Sequence, residues 1–325
     1  MNKRNQITEG VIWKQLLLFF FPIVFGTFFQ QIYNTADTIV VGRFVGKEAL
    51  AAVGGSVNQI VNLIVEVFVG LTSGAAVVVS QFFGAQDRKN LDKTVHTSFA
   101  FSLAAGAIIG VAGFLLSDAV LEAMNTPVEL MADSRTYLHI YFMGIVFNLV
   151  YNMGASVLRA MGDSRRPLYV LMTACILNIV LDIVLVVAAG MGVRGVAIAT
   201  VSCQGVSAVL VTGMLMRDHG FFRLEIKKIC FYGASLKAIL RIGVPAGIEA
   251  AMYCVANIVI QVFVNRLGTD YVAAWGTFGK IDVVFWMVVN AFSIAITTFV
   301  GQNYGAGKTR RMRKSVRVCL GMSYS

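Results

Sequence analysis

Long apolar runs broken by short polar punctuation fill the chain, and the pattern predicts eight membrane-length helices. A bilayer span needs roughly 20 mainly apolar residues. Runs of that kind cover 15–41, 50–79, 95–117, 134–158, 168–189, 193–216, 239–264 and 272–300. Turn-forming residues separate them, among them Gly84-Ala85-Gln86-Asp87, Gly162-Asp163-Ser164 and Gly305-Ala306-Gly307. No short hydrophobic segment with a small-residue cleavage site opens the chain, so the first run is expected to remain as a span.

The pattern then repeats. Gly46-Lys-Glu-Ala-Leu-Ala51-Ala52-Val-Gly54 returns 222 residues later as Gly268-Thr-Asp-Tyr-Val-Ala273-Ala274-Trp-Gly276. Gln81-Phe-Phe-Gly84-Ala85 returns as Gln302-Asn-Tyr-Gly305-Ala306 at an offset of 221, and Pro22 returns as Pro245 at 223. With six spans between copies, both halves cross the membrane in the same sense. Two such halves facing each other across a cleft form a transporter design. The expected fold is therefore an all-α polytopic membrane protein of two parallel six-helix repeats, related by a pseudo-two-fold along the membrane normal. The second repeat is incomplete. The expected units are a six-helix lobe at 1–217, a cytoplasmic connecting segment at 218–238, and an incomplete lobe at 239–325 holding helices 7 and 8 and the start of helix 9. A full second copy would bring the chain to roughly 440 residues and twelve spans, so the expectation is a C-terminally truncated transporter or a fragment of a gene.

Composition agrees. Hydrophobic residues make up 57% of the chain and charged residues 14%, against about 45–50% and about 25% in soluble domains. The net charge of +10 raises nucleic acid as a partner, but its distribution argues otherwise. Lys3, Arg4 and Lys14, then Arg88, Lys89 and Lys93, then Arg159, Arg165 and Arg166 fall in alternate connections. The same side takes Arg217, Arg223, Lys227, Lys228, Lys237 and Arg241, and the run from Lys308 to Arg317. Only Arg43, Lys47, Arg135, Arg194 and Arg266 fall on the other side. The positive-inside rule then places the N-terminus in the cytoplasm and the protein in the cytoplasmic (inner) membrane. The basic clusters read as orientation signals and lipid-phosphate contacts, with no nucleic-acid partner. Five scattered cysteines without a CxxC pair indicate neither a disulfide framework nor a zinc site. His96, His139 and His219 stand alone, and no HExxH or serine-based constellation supports an enzyme.

Chemistry is sought in polar residues inside the spans. A carboxylate at the bilayer centre costs about 2.5–3.5 kcal/mol on insertion scales. On span 1, Gln30, Asn34 and Asp37 form one stripe, with Tyr33 beside them; on span 5, Asn178 and Asp182 share a face; on span 6, Thr200 and Gln204 do so. At 1.5 Å per residue, Asp37 and Thr200 each lie about 9 Å below the outer turn, and Asp182 roughly 12–18 Å. The three are expected to converge in one pocket. Two carboxylates in a low-dielectric site cannot both ionise cheaply. Such a pair suits either a proton or a sodium ion, with Asp37, Asn178 and Asp182 as its ligands; the alternative is that they only hydrogen-bond helices together. Asn148 and Asn152 on span 4, Glu66 on span 2, and Glu249, Tyr253 and Asn257 on span 7 either line a wet cavity or bridge neighbouring helices. Lys280 and Asp282, two apart on one helix, do not face each other and are expected to pair with other helices. Asp37 has Ile260 as its repeat counterpart, so coupling is expected in the first half alone.

Several of these residues carry a family resemblance. Tyr33-Asn34-Thr-Ala-Asp37, Val41-Gly42-Arg43, Ala51-Ala52-Val-Gly54, Gln81-Phe-Phe-Gly84-Ala85, Leu158-Arg-Ala-Met-Gly162-Asp163-Ser-Arg-Arg-Pro167 and Gln302-Asn-Tyr-Gly305-Ala306 resemble the multidrug and toxic compound extrusion (MATE) family over nearly the whole chain. The resemblance implies twelve helices in two lobes and export of cationic or amphiphilic drugs in exchange for protons or sodium, with no further cofactor. It implies a coupling site at positions similar to Asp37, Asn178, Asp182 and Thr200. Another branch of the family uses a Glu deep in helix 7, where this chain has Val255 and Ala256. Expected partners are a drug-like small molecule and membrane lipids, with the protein acting as a monomer. The rival reading is a flippase for lipid-linked oligosaccharides; it calls for a cationic central cavity, whereas Lys and Arg here keep almost wholly to the connections.

Overall fold

The computed structural model describes residues 6–217, 222–266 and 269–323. Lys3, Arg4, His219 and Gly268 lie outside the described residues, as does the side chain of Lys280. Among the described residues there is no strand.

The helices are α1 (Ile12–Val40), α2 (Lys47–Ala52), α3 (Asn58–Gly84), α4 (Arg88–Ala123), α5 (Val128–Ala160), α6 (Arg165–Asp182), α7 (Gly192–Met216), α8 (Gly233–Arg266), α9 (Thr269–Gly305) and α10 (Thr309–Ser323). Eight continuous helical stretches among them are long and apolar enough to cross a membrane, α2 and α3 together making the second. These stretches outrun the apolar runs of the sequence, because polar first turns continue the helix beyond the hydrocarbon. Thus α4 starts at Arg88, well before its apolar run, where Asp87 caps it by accepting from the Asn90 N–H at 3.1 Å.

The repeat is visible in the backbone. α3 ends at Gly84 and α4 begins at Arg88; α9 ends at Gly305 and α10 begins at Thr309. The turns between them place Gln86 (φ 57) and Gly307 (φ 69), also 221 apart, in the left-handed region. Pro22 lies inside α1 and Pro245 inside α8. α10 is therefore the counterpart of the start of α4.

The two repeats meet in the helix halves nearest the basic connections. Leu16, Phe19, Phe20 and Ile23 of α1 share a core with Ala291, Ala295 and Phe299 of α9, and Phe20 stacks on Phe292 at 4.2 Å. Gly70 and Gly74 of α3 face Gly243 and Gly247 of α8. A Cβ on Gly70 would lie 2.7 Å from the Ala246 carbonyl oxygen, and one on Gly243 2.6 Å from that of Leu71. Small residues four apart on both helices let the backbones touch, as membrane helix pairs do. In the opposite halves, Asn34, Asn62, Glu66, Tyr253 and Asn257 are exposed.

Candidate functional site

Four helices build one polar pocket inside the first repeat. α1 packs on α6, α6 on α7, and α5 on α7. On α6 the inward face is Pro167, Val170, Cys175, Asn178 and Asp182, so the helix drives its amide and carboxylate into the interior. Asn178 and Asp182 are fully buried and Thr200 of α7 is nearly so. Half-buried Asp37 arrives from α1 with Asp182 and Asn178 as side-chain neighbours. Tyr33, one turn earlier, lies beside Asp37 and Thr200. Asp37, Asn178, Asp182 and Thr200 thus lie close together in one pocket.

The pocket holds unsatisfied polar atoms and no counter-charge. Asp37 Oδ1, both Asp182 oxygens, both amide atoms of Asn178, Thr200 Oγ1 and Gln204 Oε1 are buried without a protein hydrogen-bond partner of good geometry. Each orphaned buried polar atom costs about 1–3 kcal/mol. No Lys or Arg among the described residues pairs with either aspartate; the ion pairs all lie elsewhere. Two carboxylates, an amide and a hydroxyl with bonding capacity to spare suit a proton or a small hard cation bound through oxygen. Among the described residues no three His, Cys, Asp or Glu gather as a transition-metal site would.

Both aspartates stand at junctions in the backbone. α1 passes into a π-helical segment, Val41–Val45, one turn after Asp37, and α6 passes into another, Ile183–Ala188, directly after Asp182. π segments interrupt the α register and gather at functional sites. α5 supplies residues that sequence reasoning missed. Tyr137 neighbours both aspartates and Thr200, and Tyr141 lies against Gln204. Their rings are near-parallel at 6.2 Å. The available signal was two tyrosines one turn apart in an apolar run.

The remaining candidates stay outside this pocket. Asn148 and Asn152 bond to each other along α5 at 2.8 Å, and Asn58 and Asn62 do so along α3 at 3.1 Å. These bonds run within one helix and bridge no neighbouring pair. Gln30, Asn34, Glu66, Glu249, Tyr253 and Asn257 are exposed and Asp282 half-buried. Glu66 neighbours Cys254 of α8, just above the glycine seam, and Tyr253 meets Trp286 of α9 edge-on at 5.5 Å.

The family model described as MatE matches residues 22–184 and 245–325, each segment opening on an in-helix proline. The chain belongs to the MATE family. It is 30% identical over 310 residues to a probable multidrug resistance protein, YpnP, of Bacillus subtilis, covering 95% of this chain and 69% of that protein. It is 26% identical to a protein named FAD transporter of Shewanella oneidensis, covering 98% of this chain and 71% of that one. In fold it is similar to a multidrug resistance MATE transporter solved in an outward-facing conformation, with a TM-score of 0.91 at 24% identity over 99% of this chain and 71% of the other. A structure of MATE in the straight conformation gives 0.92 at 23% identity, over 100% and 72%. This MATE chain is thus a multi-pass membrane protein of a multidrug efflux transporter family, and not an enzyme.

Proposed function

We propose that this MATE protein is a cation-coupled antiporter that exports cationic or amphiphilic small molecules by alternating access. The observation that carries the reading is the pocket of Asp37, Asn178, Asp182 and Thr200, with two membrane-embedded carboxylates and, among the described residues, no Lys or Arg paired with them. A proton or sodium ion entering there neutralises the pair and satisfies its orphaned oxygens. It thereby stabilises whichever arrangement of α1 against α6 and α7 binds it better. A ligand shifts a conformational equilibrium only through such a difference in affinity. The π junctions beside both aspartates give the helix ends a place to adjust.

The substrate class rests on the open halves of the two repeats. Glu66, Glu249 and Asp282 supply carboxylates on α3, α8 and α9 there, and Tyr253 and Trp286 offer aromatic faces. Carboxylates with aromatic rings favour a positively charged amphiphile. Residues 1–217 and 239–325 act as the two lobes, joined by 218–238, in a monomer of the inner membrane with the basic face in the cytoplasm. That orientation makes the described arrangement outward-facing. The test is drug accumulation in cells expressing the full-length protein. Export should fall at least tenfold in Asp37→Asn, and unchanged export would remove the coupling role. Binding of a lipid diphosphate without any drug response would instead favour the flippase.

A further inference from the structure

The segment leading into the first helix of each repeat is held by the other repeat. Before α1, a short 3₁₀ turn, Gln6–Thr8, lies under the end of α9 and the start of α10, with Ile7 and Thr8 buried. Its carbonyls are gripped in turn. Asn303 Nδ2 donates to Ile7 O at 3.5 Å, and Lys308 Nζ to Thr8 O at 3.0 Å. All three guanidinium nitrogens of Arg311 bond here: Nε and Nη2 lie 3.3 and 3.2 Å from Ile7 O, Nη1 donates to Gly10 O at 2.7 Å, and the two Nη2 hydrogens are shared among Ile7 O, Glu9 O at 2.7 Å and Gln15 Oε1 at 2.9 Å. A planar fork of five donors matches a curl of carbonyls as a lysine cannot.

Before α8, the segment 222–232 lies on the start of α4, the counterpart of α10. The Glu225 N–H donates to His96 Nε2 at 3.1 Å, and the Tyr232 N–H to Thr97 Oγ1 at 3.1 Å. Thr97 Oγ1 donates to Cys230 O at 3.4 Å, and Thr94 Oγ1 to Ser235 Oγ at 3.3 Å. His96 is fully buried, with Nδ1 2.7 Å from Asp92 O. Donating there and accepting from Glu225 uses the neutral ring.

We propose that these reciprocal contacts are latches that hold the two repeats together on the basic face, and that the Arg311 clamp releases each time the cleft changes sides. The contacts lie on the face where α1 meets α9 and α3 meets α8, so that face cannot part while residues 7–10 stay bound to α10. The clamp suits release because two of its acceptors, the Glu9 and Gly10 carbonyls, belong to exposed residues, where water can serve them in turn. On α10 the neighbouring Arg310 is exposed and makes none of these contacts. The inference rests on alternating access as proposed above.

The test uses the full-length protein with its native cysteines replaced. Spin labels at positions 44 and 278, exposed in the π segment after α1 and in the far half of α9, report the width of the opposite mouth in lipid nanodiscs. Arg311→Ala should raise the ratio of closed to open mouth at least tenfold, and Arg310→Ala should leave it unchanged. An unaltered distance distribution in Arg311→Ala would overturn the proposal. This readout needs no transported solute, so it separates failure of the latch from failure of the antiport reading. Where Arg311→Ala does not fold, Glu9→Cys with Lys308→Cys serves, since the native side chains approach to 4.0 Å. A cleavable bismaleimide bridge between them should stop export, and cleavage should restore it; full export while bridged contradicts the proposal.

Discussion

Gly84 and Gly305, 221 positions apart, cross at the meeting point of the two repeats. A Cβ on Gly84 would strike the carbonyl of Gln302, and one on Gly305 the carbonyl of Gln81; the two glutamines are themselves repeat counterparts. Such reciprocity is what a two-fold relation demands of residues beside its axis. Gln302 adds a bond from Nε2 to Ala160 O at 2.8 Å, fixing the crossing to the end of α5.

Alanine at either glycine therefore overpacks backbone against backbone. Gly84→Ala and Gly305→Ala should each lower stability by about 1–3 kcal/mol, read as a fall in Tm in detergent. Gly213→Ala is the control, because a Cβ there meets nothing within 4 Å; it should be neutral or mildly stabilising.

Asp182→Asn separates fold from function. Asp182 is fully buried and neither of its oxygens has a hydrogen-bond partner of good geometry, so an amide there forfeits little bonding. Stability should stay within about 1 kcal/mol of the parent, or rise, while export falls tenfold or more. A collapse of stability would show that the aspartate is glue after all.

How much of this was legible beforehand follows from the kind of signal each feature leaves. The spans show as apolar runs, and the repeat as Gly, Gln and Pro markers at offsets of 221 to 223. The buried carboxylates of the pocket show because acids inside a membrane span are rare and their depth can be counted from the outer turns. The π segments beside Asp37 and Asp182 leave no mark, since a shifted backbone hydrogen bond has no residue preference in one sequence. Tyr137 and Tyr141 pass as ordinary aromatic packing. The Arg311 clamp is invisible because its acceptors are main-chain carbonyls. Asn148 and Asn152 show a third arrangement beside the two that their spacing suggested: amides four residues apart bond along their own helix.

Tyr137 is the residue most worth testing among those the sequence hid. Tyr137→Phe keeps the ring beside Tyr141 and removes the hydroxyl that faces the pocket. Stability should change by about 1 kcal/mol or less, and export should drop several-fold. Transport equal to the parent would confine Tyr137 to packing.

Asp87 makes a pH prediction at the surface. Hydrogen bonds from the Asn90 backbone and side chain hold its carboxyl below the usual carboxylate range. A depressed value means that the cap stabilises the fold above the ordinary carboxylate range and is lost as pH falls through the lowered value. Asp87→Ala should cost about 1 kcal/mol near neutral pH. The gap between the two thermal unfolding curves should close under acid.

The most direct measurement imposes a gradient on the full-length protein in sealed liposomes and follows a fluorescent organic cation. A proton or a sodium gradient should drive its movement in the parent, and the drive should vanish in both Asp37→Asn and Asp182→Asn while the dye still binds. Gradient-driven transport at the parental rate in either variant would contradict the claim that this acid pair powers export.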